Sequence, residues 1–361
     1  MKIVHIVSQN YSITNGIKTV LTNLIPEQET LGHEVTVFNV RKNTSRLFNH
    51  EFHISSYRDF CVRINGDLPD VALFHGGYVL AFYEFARYLR KKGIPYLIVP
   101  HGGTSRYNLS KNRFLKIIVN TVLTKPFIKK SNGVIFLNIQ ERENSLFKDI
   151  INDYAIIPNG VHLPNKLYSR NFHSNKVRFM FLSRIDIKFK GLDILLQSIE
   201  QVAKNNPDLN FEFHFYGSRY NKKVVEEFIH LINNTRGPVY YHGEVLGKEK
   251  EEAYINANIY VLPSLSEGMP LTVLEALSYG LPCIVTPQTN MGELIEKHHA
   301  GWVTKADIKS ITNALLTAYA DYISNGETYI RNAFDAVAPY DWSKIASKSI
   351  QEYSRLISNH K

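Results

Sequence analysis

A chain of 361 residues is longer than one ordinary hydrophobic core supports, so two domains are expected. With 44% hydrophobic and 21% charged residues, the composition is globular and excludes an intrinsically disordered chain. The formal net charge of +9 favours anionic partners, while the two cysteines, Cys61 and Cys283, point to a reducing compartment rather than a disulfide framework or a cysteine metal site.

The first apolar run is too short for a signal peptide and reads as a strand over 2–7, which makes the cytoplasm the expected location. Asn15-Gly16 opens a helix to about residue 30 with Ile17, Val20, Leu21 and Leu24 on one face. The amides at Gly16 form a potential anion site there. Further strands are expected over 34–40, 71–74, 96–100, 133–137 and 155–158. Two of them run into His75-Gly76-Gly77 and His101-Gly102-Gly103, where glycines allow close backbone approach beside a polar donor. Each histidine is also compatible with a satisfied loop residue.

From residue 85 to 140 there is no acidic residue, yet Arg87, Lys111, Arg113, Lys116, Lys125 and Lys130 lie there with other cations. Phe114, Leu115, Ile117, Ile118, Phe127 and Ile128 interleave with them. Such a pattern suits either an interfacial helix on an anionic membrane or a core-facing helix with a solvated basic side. No nucleic-acid signature accompanies the cations, so no nucleic-acid partner is expected. A polar, aperiodic stretch over 163–176 is the best linker.

Beyond it, strands are expected over 177–182, 211–216, 239–242, 259–262, 283–286 and 301–303, and a last helical segment carrying Trp342 and Tyr353 follows Pro339. The alternation predicts an α/β chain of parallel, doubly wound sheets, with ligands at the carboxyl ends of strands. Two such units would face a central cleft.

Several residues at those ends carry chemistry. Arg184 and Lys190-Gly191 follow the 177–182 strand, where a guanidinium and an ammonium would clamp a diphosphate leaving group. Lys188 competes with Lys190 for that role. After 259–262 comes Ser266-Glu-Gly-Met-Pro-Leu-Thr-Val-Leu-Glu275, in which Gly268 and Pro270 break the chain and Leu271, Leu274 and Leu277 give a helix its apolar face. Glu267 then lies in the loop and Glu275 one turn into the helix. The amides of Gly268, Met269 and Leu271 sit at a positive helix end suited to an anion. Glu275 has no cation three or four positions away and would suit ligand hydroxyls. There is no Asp-x-Asp and no clustered metal-ligand spacing, so neither metal nor separate cofactor is expected.

The two glutamates seven residues apart, within S-E-G-x-P-L-x-x-L-E-A, resemble the E-x7-E signature of the retaining nucleotide-sugar glycosyltransferases often called family 4. That resemblance implies the GT-B fold: residues 1–166 as acceptor-side domain, 167–338 as donor domain, and 339–361 crossing back to the first. It implies His101, Glu267, Arg184 and Lys190 as catalytic residues. Donor contacts would come from Gly16, Arg184, Lys190, Val245, Glu267, Gly268, Met269, Pro270, Leu271 and Glu275. His75, Lys111 and Arg113 would line the acceptor side. Ser183 stands where that family usually has glycine, and Gly16 is the one glycine kept of a usual pair.

The expected activity is metal-independent, retaining transfer of a hexose-type sugar to a lipid-linked or otherwise anionic glycan acceptor, as in surface polysaccharide assembly. A UDP-sugar is expected ahead of a GDP-sugar, although no residue selects the base. Peripheral contact with the inner face of an anionic membrane would accompany it. The rival readings are a nucleotide-sugar epimerase of the same fold and a catalytically silent binding protein at a membrane.

Overall fold

The computed structural model describes residues 1–10, 16–41, 47–76, 78–105, 119–168, 176–217 and 222–359. Contacts divide the chain into two compact units, Met1–Gly160 with Trp342–Lys361, and Val161–Asp341. The sequence reading sets those boundaries at 166/167 and 338/339.

The first unit is a seven-stranded sheet of β1 (Lys2–Val7), β2 (Glu34–Asn39), β3 (Glu51–His53), β4 (Val71–His75), β5 (Tyr96–Val99), β6 (Gly133–Phe136) and β7 (Tyr154–Ile156). Its order is β3-β2-β1-β4-β5-β6-β7, with every pairing parallel. Six strands were legible as apolar runs. β3 was not, because its sequence, Glu51-Phe52-His53, is too short and polar to signal a strand. Glu51 is nevertheless buried, taking the Leu47 amide at 2.8 Å and lying 3.4 Å from the Asn39 amide nitrogen.

Helix Leu80–Lys91 turns Phe82, Tyr83, Phe85, Ala86 and Leu89 inward, the three-to-four spacing of one helical face. Phe85 stacks on Phe60 with ring centroids 3.9 Å apart. Burying such rings contributes roughly 1.5–3 kcal/mol each, and they dominate this core. Phe127 and Ile128 are part of it: Phe127 stacks on Tyr96, whose hydroxyl donates to the Phe127 carbonyl at 2.6 Å. The interfacial-helix reading of 126–130 therefore gives way to the core-facing one. Lys111, Arg113, Phe114, Leu115, Lys116, Ile117 and Ile118 lie outside the described residues. No helix among the described residues is long and apolar enough to cross a membrane.

The final helix, Trp342–Ser358, belongs to this first unit and packs along Gly16–Thr30. Trp342 lies over Gly160, where any Cβ would run into the indole. Arg355 forks onto both carboxylate oxygens of Asp153 at 3.1 and 3.3 Å and onto the Tyr154 carbonyl at 2.6 Å.

In the second unit a six-stranded parallel sheet is formed by β8 (Val177–Leu182), β9 (Phe211–Tyr216), β10 (Val239–Tyr241), β11 (Ile259–Leu262), β12 (Cys283–Val285) and β13 (Gly301–Val303), ordered β10-β9-β8-β11-β12-β13. Residues 263–270 therefore leave the carboxyl end of a central strand, and 183–191 leave that of its neighbour. That adjacency builds the site.

Candidate active site

Lys190 and Gly191 close the turn after β8. Gly191 takes φ +65, and a Cβ there would collide with the Pro263 carbonyl at the end of β11, so glycine brings the two strand ends together. Lys190 is thereby turned inward. Its ammonium meets Glu267 Oε1 at 2.5 Å, with side chains only 8% and 14% exposed. Lys188 instead is 82% exposed and pairs with Asp193. Burial, which charge spacing could not reveal, separates the two lysines.

Glu267 Oε1 also accepts from Ser264 Oγ at 2.7 Å, and its backbone is fixed on both sides. The Glu267 amide donates to the Gln288 carbonyl at 2.9 Å, and Asn290 Nδ2 donates to the carbonyls of Glu267 and Gly268 at 2.7 and 3.1 Å. Asn290 itself sits at φ +58, a conformation asparagine tolerates better than most residues. Both side-chain donors converge on Oε1, so Oε2 is the oxygen available to a ligand among the described residues.

Helix Leu271–Ser278 starts after Pro270, as the proline suggests, and buries Val273, Leu274, Ala276 and Leu277. Leu271 is only half-buried, and Gly268 and Met269 are already engaged in contacts of their own. The expectation that Glu275 has no cation nearby is corrected. Lys250, from helix Gly247–Asn256, reaches Glu275 Oε1 at 2.6 Å, and buried Tyr254 donates to Oε2 at 2.9 Å. Burial, together with the Glu275 charge, pushes the Tyr254 hydroxyl well up and keeps it a donor. Sequence spacing missed Lys250 and Tyr254 because they approach from a separate helix.

Arg184 lies 3.7 Å from Asp186 and is part-exposed just beyond β8. Val245 is half-buried in the loop that follows β10. Among the described residues, no group of three or more His, Cys, Asp or Glu could hold a metal ion.

In the first unit, His101 follows β5 at φ +51, a strained value for a residue with a side chain. Two contacts hold it. The next amide, Gly102, donates to the buried carboxyl of Glu141 at 2.5 Å, and the His101 ring meets His75 at 2.8 Å. Glu141 also takes the Leu137 amide at 2.7 Å. Burial pushes this carboxyl up to about 7 against the pull of those two amides. Nothing in the sequence distinguished Glu141 from a solvated helix glutamate.

His75, expected to line the acceptor side, is buried, and its two ring nitrogens meet His5 and His101. Gly16 is exposed at the head of its helix, with open space where a Cβ would stand. Lys111 and Arg113, expected on the acceptor side, lie outside the described residues, as do Asn15 and Gly77.

Residues 176–321 match the family of glycosyl transferases group 1. They contain Arg184, Lys190, Glu267 and Glu275. Over 324 residues the chain is 21% identical to the phosphatidylinositol N-acetylglucosaminyltransferase gpi3 subunit of Schizosaccharomyces pombe, covering 84% of this chain and 64% of that relative. A 70-residue segment is 43% identical to the UDP-Gal:alpha-D-GlcNAc-diphosphoundecaprenol alpha-1,3-galactosyltransferase of Escherichia coli, 19% of this chain and 18% of that one. The chain thus spans less than two thirds of these relatives. Among solved structures, sucrose-phosphate synthase from Thermosynechococcus elongatus superposes with a TM-score of 0.79 at 16% identity, covering 99% of both chains. The fold is GT-B, two Rossmann-like units.

Proposed function

We propose that this chain is a retaining glycosyltransferase that moves a hexose-type sugar from a nucleotide diphosphate to a hydroxyl acceptor. The observation that carries this reading is the buried Lys190–Glu267 pair at the carboxyl ends of two adjacent strands, with Glu275 on the helix that follows, held by Lys250 and Tyr254 from a separate helix. Lys190 and Arg184 oppose the charge that grows on the leaving diphosphate. Glu267 Oε2 accepts from a sugar hydroxyl, and Glu275 from the ribose. As the bond from the anomeric carbon to the diphosphate breaks, the acceptor oxygen attacks that carbon on the same face. Its proton passes to the departing phosphate oxygen, which balances the charge, while attack on the face of departure retains configuration.

Protein cations take the place of a metal in this scheme. Two relatives, one named for phosphatidylinositol and one for a diphosphoundecaprenol-linked sugar, favour a lipid-linked, anionic acceptor. The cation-rich stretch over 85–140 is consistent with such an acceptor and with work at a membrane surface. A panel of nucleotide sugars in excess chelator tests the reaction. One donor, expected to be a UDP-sugar, should be consumed with its anomeric configuration kept, at the same rate as without chelator. An inverted product, or activity restored only by adding magnesium or manganese, would refute the mechanism.

The two glutamates should separate under substitution. Glu275→Gln should weaken binding of both the bare nucleotide and the nucleotide sugar, by about 1.5–3 kcal/mol for a contact to a charged group. Glu267→Gln should leave bare nucleotide binding unchanged while transfer is lost. Calorimetry with the nucleotide diphosphate, run beside turnover assays, reads both, and the opposite pattern would exchange their roles.

A further inference from the structure

Three histidines far apart in sequence form one line in the first unit. His5 lies in β1, His75 ends β4 and His101 follows β5, and these strands are neighbours in the sheet. His5 pairs in register with Leu73, two residues before His75, and His75 pairs with Val99, two before His101. For His75 the step of two within β4 keeps the side chain on the same face as His5, and His101 stands just past the end of β5. The rings are therefore linked: His101 Nε2 to His75 Nδ1 at 2.8 Å, and His75 Nε2 to His5 Nδ1 at 2.8 Å. His5 Nε2 continues the line to Gln28 Oε1 at 3.3 Å, and Gln28 Nε2 donates to Ser349 Oγ of the final helix at 2.9 Å.

This line has a direction, set at its far end. Ser349 gives its own proton to the Ala346 carbonyl at 2.7 Å, so it accepts from the amide nitrogen of Gln28. Gln28 then turns its oxygen to His5, which must carry its proton on Nε2. A neutral imidazole has one donor and one acceptor. His5 Nδ1 is consequently an acceptor, His75 carries its proton on Nε2, and His75 Nδ1 accepts in turn. Burial holds all three rings below the usual histidine range, which keeps them neutral near pH 7.

We infer that Ser349, Gln28, His5 and His75 are positioning residues that fix His101 as its Nε2–H tautomer and leave Nδ1 as a bare acceptor. Resting on the proposed function, this deepens it. The group that meets His101 must be a hydrogen-bond donor, as a sugar hydroxyl is, and a carboxylate or carbonyl would be refused. His101 then receives a proton-bearing hydroxyl in place of donating to it.

Long-range nitrogen–proton correlation spectra of the full 15N-labelled chain, without substrate, test the inference at neutral pH. His101, assigned by loss of its signals in His101→Gln, should show a protonated Nε2 and an unprotonated Nδ1. A protonated Nδ1 in the wild-type chain overturns the inference whatever the activity. Gln28→Leu removes the acceptor beyond His5, and the reversed tautomer should then appear at His101, three rings away. An unchanged His101 spectrum in that variant would show that the line does not set the tautomer. Turnover should fall about ten-fold in Gln28→Leu, the worth of one neutral hydrogen bond. Because the spectra need no reaction, failure of the transfer reading would leave the tautomer result standing.

Discussion

Lys190→Met should destabilise the second unit by about 3–5 kcal/mol, because it strands the Glu267 carboxylate in a site where both side chains are nearly out of water. Ser264 would remain as a donor, but a neutral hydroxyl does not offset a buried charge. The double variant Lys190→Met, Glu267→Gln should recover most of that stability, since replacing both members of a buried pair leaves no orphan charge. Transfer should be lost in both, which separates the pair's structural part from its proposed catalytic one. The chain has two tryptophans, Trp302 in the second unit and Trp342 in the first. Denaturant unfolding of a Trp342→Phe background therefore follows the second unit through Trp302. Equal loss of stability in the single and double variants would mean that the two charges do not depend on each other.

Acidification should destabilise the first unit as pH falls from about 6.5 toward 4. His5 and His101, held by burial at about 4, and His75, held well below its usual value, stay neutral in the folded chain while their unfolded counterparts take protons near 6.5. Stability from these groups is present above the unfolded value and is lost as pH falls through that window. The loss is roughly 3 kcal/mol for a single histidine displaced that far. Glu141 works the other way. With its carboxyl at about 7 when folded, it favours the folded chain increasingly as pH falls from about 7 to 4.5. One carboxyl offsets only part of three imidazoles, so the net change is a loss. Fluorescence of Trp342 in a Trp302→Phe background, in denaturant series from pH 7 to 4.5, measures it. A flat or rising midpoint would contradict burial of the three rings as neutral species.

How much of this was legible depends on whether the signal was local. Alternating apolar runs and turn residues placed most of the strands, and the helix beginning at Gly16, within a residue or two. The glutamates, Arg184 and the two histidine–glycine steps stood out because each follows a strand. What stayed hidden was pairing across distance. Lys250 reaches Glu275 from another helix, and Lys188 and Lys190 look alike until the left-handed turn at Gly191 sends one inward. Glu141 reads as an ordinary helix residue until the Gly102 amide meets it. The histidine line needs the strand order β1-β4-β5, in which residues 5, 75 and 101 become neighbours. Periodicity reports which residues face inward, but not which inward residues meet.

The placement of the final helix bears on how the protein is made. Residues 161–341 form one uninterrupted unit and can fold as soon as they leave the ribosome. The first unit, although synthesised earlier, lacks Trp342 over Gly160, Ser349 at Gln28 and Arg355 at Asp153 until the last helix emerges. Order of synthesis and order of completion are therefore reversed. Throughout translation of the second unit, the nascent first unit leaves uncovered the face of Gly16–Thr30 against which the final helix packs in the finished fold.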